Sequence, residues 1–154
     1  MKRILITAFW AAALSAPTMA ADDANEQAIK ARRGAMQVRN FNAGPLYAMA
    51  KGKMAYDAEM ARTLANNLSL ESQMDSGAMW PKGSDNQAYD GKTRALPDIW
   101  TTYPAIGEKG EAYKEAVMKL AADAGNGLDA LKASVSDLGK ACKSCHDDYR
   151  AEDP

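Results

Sequence analysis

Both cysteines and the only histidine of the chain fall in one short run, Cys142-Lys143-Ser144-Cys145-His146, close to the C-terminus. Residues three apart on a helix share a face about one turn apart, so the two thiols can reach one edge of a flat macrocycle while the neighbouring imidazole points at its metal. A Cys-x-x-Cys-His run is the attachment signature of c-type haem, with two thioethers to the vinyl groups and the histidine on the iron. Other uses of these residues each meet a difficulty. A disulfide between cysteines three apart closes a very small loop and leaves the histidine without a role. A zinc site wants about four ligands, and the chain has no further cysteine or histidine to supply them. A thioredoxin-like pair needs a βαβ setting, and no alternating strand pattern is found.

The elements that must position the run are helical. Leu128, Leu131, Val135, Leu138, Cys142, Cys145 and Tyr149 step by three and four, an unbroken heptad-like seam that puts both cysteines on the core-facing stripe. Haem hung from that stripe would lie in the interior, where removal of apolar surface contributes about 25 cal/mol per Å². Three earlier helices complete the count. The first runs from Asn25 to about Lys51 with Ile29, Ala35 or Met36, Phe41, Leu46 and Met49 inward, and Gly44-Pro45 is expected to kink or break it. Asp57 is a good N-cap for the second, which buries Ala58, Ala61, Leu64, Ala65 and Leu68. The stretch from Asp75 to Ala95, rich in Gly, Ser, Asp and Asn, reads as a long crossover loop. Leu96-Pro97-Asp98 then opens a third helix through Ile99, Trp100, Tyr113, Ala116, Val117, Leu120 and Ala124, with an interruption between Pro104 and Gly110. Gly125-Asn126-Gly127 turns the chain into the last helix. The expectation is an all-α, antiparallel four-helix bundle with haem c near the C-terminal helix.

The N-terminus fits that chemistry. Lys2-Arg3, the apolar run Ile4 to Leu14, Pro17 and the small-residue stretch ending at Ala20 read as a secretory signal peptide over residues 1–20, leaving a single domain over 21–154. The apolar run is short for a bilayer span, so no membrane anchor is expected. Export to the periplasm agrees with the motif, because haem c is attached after export. Of the chain's 19 basic and 20 acidic residues, the leader takes Lys2 and Arg3, leaving a net charge of −3. No basic tract with interleaved aromatics exists, which argues against a nucleic-acid partner.

With the run Cys142-Lys143-Ser144-Cys145-His146-Asp147-Asp148-Tyr149-Arg150, the chain resembles the cytochrome c′ family of four-helix-bundle cytochromes, whose haem site lies near the C-terminus. Weaker pieces of the resemblance are Ala31-Arg32-Arg33-Gly34-Ala35-Met36, Ala50-Lys51-Gly52 with Tyr56-Asp57, and Ile99-Trp100. It implies one covalent haem c with iron on Cys142, Cys145 and His146. It further implies that Arg32 lies along the haem and its propionates, that Arg33 stands at a position often held by Gln, and that Thr93 and Arg94 approach the propionate edge. Arg150 matches the basic residue one turn after the proximal histidine, and Met36 falls where the family places its distal side chain. For each arginine the alternative is a solvated surface charge.

A single histidine excludes bis-histidine ligation in a monomer and leaves no distal histidine for peroxidase chemistry. The sixth position then belongs to a methionine, another weak ligand, a small molecule or nothing. Met36 can ligate the iron, pack over it without binding, or serve only as core, and Met74 and Met79 are further thioethers near the crossover loop. Two functions follow: electron transfer with unidentified redox proteins, or binding of NO or CO at an open iron face. An enzyme is not expected, because no distal acid-base residue can be named. The family resemblance also allows a homodimer through the first two helices.

Overall fold

Residues 23–152 are described by a computed structural model, and the leader expected over residues 1–20 lies outside the described residues. Four helices carry the chain: α1 Ala24–Ala50, α2 Ala58–Ser72, α3 Ala105–Asp123 and α4 Leu128–Tyr149. Each packs against two neighbours, α1 on α2 and α4, and α3 on α2 and α4, closing the ring of a four-helix bundle. Its centre is filled by Leu46, Met49, Ala61, Ala65, Leu68, Val117, Leu120, Leu131, Val135 and Leu138.

The cap expected for α2 is present: the Asp57 carboxylate accepts from the amides of Glu59 and Met60, both at 2.9 Å. Asp57→Ala leaves those donors to water, and urea unfolding is expected to register a loss of about 1 kcal/mol. Ala61, Ala65 and Leu68 are buried as the periodicity predicts, with Ala58 and Leu64 half-buried.

In α1 the pattern misleads at two places. Pro45 does not break the helix, which runs on to Ala50. Pro45 removes only the rung to the Phe41 carbonyl, on a residue that is 76% exposed, where water can take the freed oxygen. Phe41 is therefore not a core residue. The inward stripe runs instead through Ile29, Arg32, Asn42, Leu46 and Met49, so that two polar side chains hold inward positions, Asn42 next to the aromatic in the chain. Asn42 is satisfied there by donating to the Val38 carbonyl and accepting from Asn67, each at 2.9 Å.

The third helix starts later than its sequence suggests. Pro97–Trp100 forms a separate 3-10 turn, and α3 begins only at Ala105, after Pro104. Trp100 is committed to the crossover loop: its indole donates to the Trp80 carbonyl at 2.9 Å, and the two rings lie tilted with centroids 6.4 Å apart. That loop, between α2 and α3, contains one further 3-10 turn, Gly77–Met79. Its far end pairs with the end of α4 by an isolated antiparallel bridge, Ala95 to Arg150, the Leu96 amide donating to the Tyr149 carbonyl at 3.0 Å.

Candidate functional site

The last helix presents the motif because its N-terminal half is pinned. Tyr56 accepts from the Gly127 amide at 2.9 Å and donates to the Ala124 carbonyl at 3.0 Å, clamping the turn that feeds α4. Gly127 adopts φ 117°, a conformation L side chains rarely take, so glycine is needed there. From that turn Leu131, Val135 and Leu138 are buried, and the same stripe continues into Cys142 and Cys145, both half-buried free thiols. Burial pushes both thiols up, with Arg39 opposing the shift at each and Lys109 at Cys145. Lys109 of α3 grips the residues flanking the second thiol and the imidazole, donating to Ser144 at 2.6 Å and pairing with Asp148 at 2.9 Å.

His146 stands on the exposed side of α4 and lines an open hollow with Arg94, Asp147, Arg150, Ala151 and Glu152. Its pKa is lowered, first by partial burial and then by the charges of Arg150 and Arg94. The neutral imidazole, the form that binds a metal, is thus favoured. Arg150 places Nη1 3.3 Å from His146 Nδ1. Arg94 is held by the end of the chain, Nε donating to the Ala151 carbonyl at 2.7 Å. A pair of thiols one turn apart, an adjacent neutral imidazole and two guanidiniums beside it form a donor set that fits a covalently bound iron porphyrin with acidic side chains. The residues present fit haem c.

The other expected contacts divide. Arg32 is only 3% exposed, and its donors are directed into the crossover loop rather than outward. Nη1 donates to Ser84 Oγ at 2.7 Å and the Met79 carbonyl at 3.3 Å, while Nη2 donates to the Ser84 carbonyl and to Thr93 Oγ1, the latter at 2.9 Å. The Arg32 guanidinium also lies 4.8 Å from the centroid of the Trp80 ring. The solvated-charge alternative for Arg32 is excluded, and Thr93 joins it as a partner in the loop anchor. Arg33 is exposed and donates to the Lys92 carbonyl at 3.0 Å. Met36 lies on α1, 38% exposed, with Arg39 Nη1 3.7 Å from its sulfur. Met74 is exposed, and Met79 contributes its backbone oxygen to Arg32.

The sequence reading missed a polar cluster that joins three helices. Arg39 of α1 pairs with Glu71 of α2, Nε to Oε2 at 2.8 Å, and lies 4.4 Å from the centroid of the Tyr113 ring on α3. Tyr113 donates to the same Glu71 oxygen at 3.3 Å, and burial pushes its phenol well above the ordinary range. Glu71 Oε1 is buried without a hydrogen-bond partner among the described residues. The available signal was spacing: Arg39 is three residues beyond Met36 and shares its helix face.

Comparison with known proteins points to one family. The cytochrome c′ family profile matches residues 27–150. Cytochrome c′ of Cereibacter sphaeroides is 39% identical over 152 residues, 99% of each chain. A solved cytochrome c′ from Rhodobacter superposes with TM-score 0.82 at 38% identity, covering 85% of this chain and 99% of that one. A nitric oxide complex of a cytochrome c′ variant from Alcaligenes xylosoxidans superposes with TM-score 0.71 at 30% identity, covering 83% of this chain and 97% of that one.

Proposed function

Because this chain belongs to the cytochrome c′ family, and so binds one covalent c-type haem, we propose that it is an exported cytochrome that passes single electrons between redox proteins. Bound haem supplies an iron that alternates between the ferric and ferrous states. The chain's own residues do the rest. Cys142 and Cys145 would hold the macrocycle on the core-facing seam and His146 would bind its iron, with partial burial and then the charges of Arg150 and Arg94 lowering the pKa of that imidazole.

The observation that carries this reading is the open hollow lined by Arg94, His146 and Arg150. A redox centre bordered by that surface can exchange electrons with a docked protein. The leader over residues 1–20 and a periplasmic location belong to the same proposal. Among the described residues no helix is long and apolar enough to cross a membrane. Exposed Val38 and Phe41 on α1 and Leu70 on α2 are consistent with the homodimer that the family resemblance allows.

A second reading, capture of NO or a similar diatomic at an open iron face, is favoured by one contact. The Met36 sulfur already has Arg39 Nη1 at 3.7 Å, so the thioether has a partner other than a metal. The Alcaligenes relative's NO complex is consistent with it. Optical and electron paramagnetic resonance spectra of the holoprotein, with and without CO and NO, separate the two. For the electron carrier the expected result is low-spin iron with a sulfur-to-iron charge-transfer band, and Met36→Ala abolishes both. High-spin iron in the unsubstituted protein, taking up NO on mixing, would put gas binding first.

A further inference from the structure

Glu71 of α2 carries a negative charge into the wall of the bundle, its side chain 11% exposed. One oxygen, Oε2, serves both Arg39 Nε at 2.8 Å and the Tyr113 hydroxyl at 3.3 Å, while Oε1 is buried with no hydrogen-bond partner among the described residues. A buried ion pair is a poor way to gain stability, since well-packed apolar side chains of similar volume often do as well or better, and a half-satisfied carboxylate is poorer still. That points to its charge rather than to packing. Two contacts between α3 and α4 fix the height of the cluster along the bundle. Lys109 meets Ser144 at 2.6 Å and Lys119 meets Ser134 at 3.1 Å, so the two helices run antiparallel with Tyr113, one turn beyond Lys109, level with Cys142. On the other flank Tyr47 of α1 lies against Gly139 of α4, where an added Cβ would stand 3.3 Å from its hydroxyl. Arg39, about two turns before Tyr47, is thereby level with His146. The pair thus spans the height of the haem-binding run. Its charge reaches there as well: burial pushes both thiols up, with Arg39 among the cations that oppose the shift at each.

We propose that Glu71 is the counter-charge of the cofactor site: by cancelling Arg39 beside the haem-binding run it keeps an unbalanced positive charge off the flank of the bound porphyrin, and so holds the reduction potential down. The proposal needs only the covalent haem of the family and stands apart from what occupies the iron's sixth position. Ferric iron carries one more positive charge than ferrous iron, so an uncompensated cation nearby favours reduction, and a partly buried one is screened little by salt.

Spectroelectrochemical titration of the holoprotein reads the effect, the electrode supplying one electron per iron. Glu71→Gln keeps the volume of the side chain but leaves the guanidinium, which stays protonated, without its anion. It is expected to favour the ferrous state by about tenfold at a fixed potential, a rise of about 59 mV for a one-electron couple. Adding Arg39→Gln to Glu71→Gln removes both charges and should return the midpoint to within about threefold of the unsubstituted protein. Tyr113→Phe removes a hydrogen bond but no charge and should stay within the same limit. Arg39→Gln alone leaves the carboxylate and, at about pH 9 where that group is ionised, should move the midpoint the other way. It supplies the decisive comparison if Glu71→Gln does not fold, and an unmoved midpoint there overturns the proposal. A shift below about threefold in folded Glu71→Gln overturns it too. So does a rise that persists in the double variant or is matched by Tyr113→Phe, since either would come from opened packing rather than from charge. A rise that appears only with a change of spin state belongs to the iron's ligands and equally sinks the counter-charge.

Discussion

Arg32→Ala should be the most damaging single change outside the haem-binding run, with a loss of about 3 kcal/mol in urea unfolding and loosening centred on the loop between α2 and α3. Arg32 is buried and donates to two loop carbonyls and two hydroxyls, on Met79, Ser84 and Thr93. Removing it strands several of those acceptors in a place water reaches poorly, and each buried polar group left unpaired costs about 1–3 kcal/mol. Ser84 is fully buried, so its carbonyl has no ready substitute partner, although its hydroxyl still donates to the Pro81 carbonyl at 2.7 Å. Burial already lowers the Arg32 pKa, the sign that the fold bears a desolvation cost there which the four bonds offset. Arg32→Lys should rescue little, because one ammonium cannot reproduce a planar fork that spans acceptors on three residues. Hydrogen exchange is the local readout: amides of residues 79–96 are expected to lose protection while those of Leu131 to Leu138 keep theirs. Uniform loss across the bundle would mean that Arg32 is merely one more contributor to global stability.

His146→Ala is the second. The two thioethers do not involve the imidazole, so haem should remain covalently attached and survive acid extraction. The iron loses its proximal nitrogen, and the optical spectrum of both oxidation states should change in band position and spin state. The holo fold is expected to lose about 2 kcal/mol or more, read as a fall in melting temperature of roughly 5 °C or more for a domain of this size. An unchanged spectrum would remove His146 from the axial position. Arg150 gives an internal control, because its side chain lies 3.3 Å from the imidazole and its backbone amide bonds to the His146 carbonyl at 3.2 Å. A change confined to the ring should leave that backbone contact in place.

The sequence was most legible where one physical rule acted alone. The α4 seam is apolar down to the cysteines, and Asp57 caps α2 with no competitor for its carboxylate, so periodicity and capping chemistry predicted both correctly. The Cys-x-x-Cys-His run needed no fold to be read, since its spacing is the chemistry. Legibility failed where polar side chains took inward places. Arg32 and Asn42 are buried because partners far along the chain satisfy them, Ser84 and Thr93 for one and Asn67 for the other. A rule that sends apolar residues inward put Phe41 in the place of Asn42. The start of α3 failed for a related reason: Leu96-Pro97-Asp98 does begin a helical turn, but Trp100 is drawn to the Trp80 carbonyl and the chain breaks off before Pro104. The Arg39, Glu71 and Tyr113 cluster was missed because spacing pointed only to Arg39, while its partners come from two other helices and meet it only in the packed bundle.

The pairing between the crossover loop and the end of α4 ties together segments that lie far apart in the chain. The Leu96 amide meets the Tyr149 carbonyl, and the Ala151 amide meets the Arg94 carbonyl at 2.8 Å. The stretch that carries Thr93 and Arg94 is thereby clasped to the residues that follow His146, so that slack in either one passes to the other and the loop's order and the posture of the cofactor-binding run rise and fall together.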